Sequence, residues 1–136
     1  MTPQEIYNTV AVHLFTQGER AGIQLEDDDD IGTGFSCRYR APGGKTCAVG
    51  KLLPDDCYEP GMKGNAVDTL CAAHADTFPS WMIENVPLLD RLQSVHDTGC
   101  NWKGDVDMKF ALGIAADKFG LDKSILDGLS FNRAEA

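Results

Sequence analysis

Apolar residues recur at intervals of three and four over most of this chain, a period that places them on one face only if the backbone is α-helical. Ile6, Val10 and Leu14 repeat every four residues, with Tyr7 and Phe15 widening the stripe. Thr2 and Glu5 have the spacing of a capping box, Pro3 suits the first helical position and Gly18 the stop, so a helix is predicted over 3–17. Further on, Asn65 is placed to cap a helix carrying Val67, Leu70, Cys71 and His74. Phe78-Pro79 interrupts it, and Trp81, Met82 and Ile83 make an apolar patch. Pro87 opens a helix with Leu88, Leu89, Leu92 and Val95 on one stripe, ended by Thr98-Gly99. Another is predicted over 105–119, with Val106, Phe110, Ile114 and Ala115 as its apolar stripe and Gly120 as its stop. Asp122 caps a last short helix holding Ile125, Leu126 and Leu129.

One stretch changes period. From Phe35 the alternation is two: Phe35, Cys37, Tyr39 and Ala41 fall on one face, Ser36, Arg38 and Arg40 on the other. Pro42-Gly43-Gly44-Lys45 reads as a turn, and Thr46 to Val49 as a returning strand, while Gly50 and Pro54 bracket at most one helical turn. The expected fold class is therefore α+β, mainly α: about five helices with one short antiparallel β-hairpin. A single globular domain is expected over 1–136, with an acidic loop over 18–34 and a frayed tail over 132–136.

At 136 residues, 43% of them hydrophobic, such a domain can bury a core without disulfides or metal. Five cysteines are an odd number, and with no basic-then-apolar leader pattern they point to free thiols in a reducing, cytoplasmic compartment. No apolar stretch is long enough to span a bilayer. The net charge of −9 argues against general nucleic-acid binding and against a membrane partner.

Charge is nevertheless segregated. Between Ser36 and Lys51 stand four bases (Arg38, Arg40, Lys45, Lys51) and no acid, leaving −13 on the rest of the chain. Arginine forks match phosphate or carboxylate bidentately, and a glycine turn lets backbone N–H groups approach an anion. The candidate ligand-binding residues are Arg38, Tyr39, Arg40, Gly43, Gly44, Lys45 and Lys51, with Tyr39 or Trp102 available to stack a base. The competing reading is internal: Glu26 and the aspartates Asp27 to Asp30 lie just upstream and can fold back onto the bases.

Other patterns carry less. Gly44-Lys45-Thr46 lacks the first glycine of a phosphate loop, Tyr39 standing in its place, and is predicted in a strand–turn–strand. Cys71 with His74, and His96 with Cys100, have spacings that could ligate zinc, but such pairs arise easily by chance. Cys47 lies near three bases that could lower its pKa, without a histidine that the sequence can place beside it. Asp55-Asp56 and Asp105 with Asp107 do not differ from solvated acids. No catalytic residue, metal or cofactor is assigned.

The run from Cys37 to Asp55, read as Cys-x-Tyr-Arg-x-Pro-x-Gly-x-x-Cys-Ala-x-Gly-x-Leu-x-Pro-Asp, resembles the central signature of a group of short, uncharacterised phage, prophage and plasmid proteins. The resemblance continues through Tyr58, Met62 and Gly64, through Leu92-Gln93-Ser94-Val95-His96-Asp97 and to Gly120-Leu121, while Lys63 and the long aspartate run depart from it. It implies a mobile-element accessory protein, a setting in which genes often act against host immunity. The expectation is a non-enzymatic protein of the host-cell cytoplasm that sequesters an anionic, nucleotide-like small molecule. The alternatives are an acidic inhibitor that mimics nucleic acid against a host defence protein, and a small nucleotide-modifying enzyme. A homodimer is expected, since small domains often build sites across a two-fold axis.

Overall fold

A computed structural model describes residues 1–24, 35–37, 44–54, 57 and 67–131. Among these the chain forms six α-helices: α1 (Pro3–Gln17), α2 (Ala48–Leu52), α3 (Val67–Ala73), α4 (Ser80–Glu84), α5 (Val86–Asp97) and α6 (Asp105–Phe119). Two 3-10 turns, Gly99–Trp102 and Ser124–Gly128, follow α5 and α6. None of these helices is long and apolar enough to cross a membrane.

Helix α5 is the hub, touching α1, α2, α3, α4 and α6. Contact on so many sides requires a broad buried face, and Leu88, Leu89, Leu92, Gln93, Val95 and His96 provide it. Leu89 and Leu92 are fully buried, each worth about 2–3 kcal/mol relative to exposure. Helix α1 has the expected ends. The Thr2 side chain accepts from the Glu5 N–H at 3.1 Å, Glu5 Oε1 accepts from the Thr2 N–H at 2.8 Å, and Gly18 closes the helix at φ 78°. Its buried face is Ile6, Tyr7, Val10, Ala11, Leu14 and Phe15. The Tyr7 hydroxyl donates to the Leu112 carbonyl at 2.8 Å, tying α1 to the middle of α6. Gln4 exchanges two bonds with the Asp122 backbone, at 2.9 and 2.8 Å, and ties α1 to the segment after α6.

Two expectations fail. The α+β class with a β-hairpin is overturned: the fold is helical, and Thr46 to Val49 is not a returning strand. Cys47 caps α2, its Sγ accepting from the Gly50 N–H at 3.2 Å, and Ala48–Leu52 is helix. Among the described residues one antiparallel ladder is present, three residues per strand, β1 (Gly22–Gln24) against β2 (Phe35–Cys37), with Ile23 opposite Ser36. Phe35 to Cys37 is therefore extended as expected, but its partner comes from the segment expected to be loop. The rest of that acidic loop, the turn up to Gly43 and the tail from 132 lie outside the described residues.

The second failure is on α6. Met108, Leu112, Gly113, Ala115 and Ala116 are buried, whereas Val106, Phe110 and Ile114 are 79%, 70% and 45% exposed. Of the expected stripe only Ala115 is buried.

Candidate functional site

Of the residues expected to hold a ligand, Arg38, Tyr39, Arg40 and Gly43 lie outside the described residues, as do Glu26 and Asp27 to Asp30. Gly44 has φ +79°, a conformation that favours glycine. Lys45 is partly neutralised from within: its Nζ lies 3.1 Å from Glu19 Oε2, with both side chains at least a third exposed. A solvent-screened pair of this kind contributes about 1 kcal/mol or less and can be displaced by a ligand. Lys51, in the last turn of α2, is exposed, and no carboxylate among the described residues pairs with it.

Lys51 faces α1. Together with Asn8, Thr9, Val12, His13 and Thr16 it lines an open groove of about 500 Å³. Thr9, Val12, His13 and Thr16 are spaced by three, one and three residues, so they share the face of α1 that turns away from its buried stripe. Asn8 Oδ1 accepts from Gln4 Nε2 at 2.9 Å, leaving the two Asn8 amide hydrogens uncommitted among the described residues. The groove thus offers one ammonium, two hydroxyls and an amide, all able to donate to an anion.

The strand-like residue Thr46 fixes how α2 meets α1. Its N–H donates to Gln17 Oε1 at 2.9 Å, while its carbonyl accepts from Gln17 Nε2 at 3.0 Å and contacts His13 Nε2 at 2.8 Å. A carbonyl only accepts, so His13 carries its hydrogen on Nε2. Burial holds the His13 pKa below the ordinary imidazole range against the bond to Thr46, and the charge of Lys51 acts in the same direction as burial. His13 is therefore neutral at pH 7, with Nδ1 left as an acceptor.

Beneath α2 a polar network anchors its start to α5. The Val49 N–H donates to Gln93 Oε1 at 3.1 Å, and Gln93 Nε2 donates to Asp97 Oδ1 at 2.9 Å. His96 Nδ1 lies 2.7 Å from the same Asp97 oxygen, and its Nε2 accepts from the Ala21 N–H at 2.9 Å. The Trp102 indole donates to the His96 carbonyl at 2.8 Å and meets the His96 ring edge-on. With both ring nitrogens committed and no solvent exposure, His96 is a structural tie.

The same geometry disposes of the other candidates. Cys47 is buried, and burial, helped by the Asp97 charge, pushes its thiol up to about 12. That is the opposite of an activated nucleophile. Cys71 is buried, His74 stacks on the Phe78 ring, and His96 is occupied, so the two cysteine–histidine pairs do not assemble. No group of three or more metal-ligating side chains occurs among the described residues. Gly44-Lys45-Thr46 does run into a helix, contrary to the strand expected there, but that helix has five residues and Lys45 engages Glu19. Cys100 is exposed, whereas Cys47 and Cys71 are buried.

The residues missed from sequence are Asn8, Thr9, His13 and Thr16. Their spacing on the outer face of α1 was visible, but only α2 docking beside them makes that face a groove. Comparison with family models, with curated proteins and with solved structures returns no match.

Proposed function

We propose that this chain is a non-enzymatic binder that takes a small anionic, nucleotide-like molecule at the α1–α2 groove. The observation that carries the reading is Lys51, an unpaired cation among the described residues, set against the hydroxyls of Thr9 and Thr16 and the amide of Asn8. A charge-assisted hydrogen bond contributes about 1.5–3 kcal/mol net. Lys51 with two or three neutral donors supports a dissociation constant of about millimolar to tens of micromolar. Arg38 and Arg40, six and four residues before Gly44 in the sequence, are the groups that would tighten it. The apolar wall given by Val12 suits a ligand with a ring as well as a charge. The protonated, buried thiol of Cys47 beside Thr46 favours holding a ligand over covalent chemistry.

The resemblance of Cys37 to Asp55 to phage and plasmid proteins supplies the setting: a mobile-element accessory protein acting in the host-cell cytoplasm, where sequestering a nucleotide signal would blunt a defence response. The test is thermal unfolding of protein freed of bound ligand by refolding, against inorganic phosphate, mononucleotides, ADP-ribose and cyclic dinucleotides. A ligand at ten times its dissociation constant adds about 1.4 kcal/mol, which for 136 residues raises the melting temperature by about 5 °C. The ligand is recovered unchanged after heat denaturation, and Lys51→Glu removes the shift. No shift with any of these anions overturns the reading, and turnover of the ligand replaces it with an enzyme.

A further inference from the structure

Helix α6 has two apolar faces. One, with Met108, Leu112, Ala115 and Ala116, is buried in the core. The other presents Val106, Phe110 and Ile114, four residues apart, at 79%, 70% and 45% exposure. Isolated exposed apolar residues are ordinary, but a contiguous stripe along three turns marks a surface that is covered. Beside it runs an apolar groove of about 420 Å³ between α6 and the 3-10 turn Ser124–Gly128. Gly113 lies in this groove, with the Lys123 stem packed 3.8 Å from where a Cβ would stand and Leu126 on the far wall.

We infer that a second copy of this chain covers this face, the two α6 helices packing antiparallel about a two-fold axis. The argument is self-complementarity, which an isologous contact demands: what residue i offers, residue j of the other copy must accept. Each α6 carries a knob, the Phe110 ring, and beside it the groove lined by Gly113, Lys123 and Leu126. A dyad at the Ala111–Gly113 turn lays each Phe110 towards the groove of the other copy. Both ends of this face carry charges of both signs, Asp107 and Lys109 before the dyad and Asp117 and Lys118 after it. The antiparallel arrangement brings Lys109 of each copy within about one helical turn of the other's Asp117; a parallel one stacks like on like. Asp117 already holds Lys123 at 3.0 Å, both more than half exposed, so the new lysine joins a solvated carboxylate without having to displace a buried partner. An unrelated acidic or basic partner would find this rim mixed in sign, while a second copy finds it matched.

The test is sedimentation velocity of the full chain over a concentration series, with circular dichroism as the folding control. A concentration-dependent dimer is expected. Phe110→Glu, at an exposed position, keeps the monomer's unfolding midpoint and weakens the dimer at least tenfold. Lys109→Asp and Asp117→Lys each weaken it, and the two together restore it. A monomer at every concentration overturns the inference and leaves the face to a different protein. So does a dimer indifferent to Phe110→Glu, or a charge exchange that does not restore association.

Discussion

Replacing Gln93 with leucine isolates the tie that holds the start of α2 to α5. Gln93 is 9% exposed and uses both ends of its amide, accepting from the Val49 N–H at 3.1 Å and donating to Asp97 at 2.9 Å. Leucine fills a similar volume but does neither. The buried Val49 N–H then lacks a partner, at a cost of about 1–3 kcal/mol. Asp97 is 42% exposed, so water takes over much of the second bond, and its loss costs about 1 kcal/mol or less. The apolar side chain returns about 1 kcal/mol through burial. The net expectation for Gln93→Leu is a loss of about 2 kcal/mol, a fall of about 7 °C in melting temperature for a domain of this size. Urea unfolding followed by circular dichroism should give a lower midpoint with an unchanged slope, and hydrogen exchange should quicken at the Val49 amide. A variant as stable as the parent, with Val49 still protected, would refute the anchoring role assigned to Gln93.

Three further outcomes follow from burial. Leu112→Ala, at a fully buried position on α6, should cost about 2–5 kcal/mol, whereas Phe110→Ala should stay within about 0.5 kcal/mol for the monomer, measured by urea midpoints at dilute concentration. Tyr7 and Cys47 both have their acidities suppressed, to about 12 from 10.0 and 9.0, chiefly by burial. The unfolded chain ionises them first, so their contribution is intact below pH 9 and is lost as pH rises from there to about 12; Tyr7→Phe should flatten the upper part of that decline in urea midpoints. In native protein treated with iodoacetamide and mapped by peptide mass, Cys100 should be modified and Cys47 should not, until denaturant is added.

The helical frame was legible because its signals are local. Thr2, Glu5 and Gly18 delimit α1 through contacts within one turn, and the leucines of α5 fix its buried face. Helix α2 was not legible for the opposite reason. Cys47 is a poor advertisement for a helix cap, and the bond from Val49 that steadies α2 ends on a residue 44 positions away. Phe35 to Cys37 is extended, as alternation predicts for those three residues, but pairing is decided by which segment arrives alongside, and β1 does. On α6 periodicity offered two stripes of similar strength. Val106, Phe110 and Ile114 have the larger side chains, yet the smaller Ala115 and Ala116 with Met108 and Leu112 let the helix approach its neighbours closely. At the candidate site, Lys51 was reached through charge segregation, while the α1 donors became visible only through the meeting of two helices far apart in sequence.

Amide NMR titration of the uniformly labelled chain with AMP, ADP-ribose and a cyclic dinucleotide tests the binding site most directly. The account predicts shifts that saturate with at least one of them and cluster at Asn8, Thr9, His13, Thr16 and Lys51, and that vanish in Lys51→Glu. Shifts confined to the α6 face, or a spectrum unmoved by all three, would contradict it.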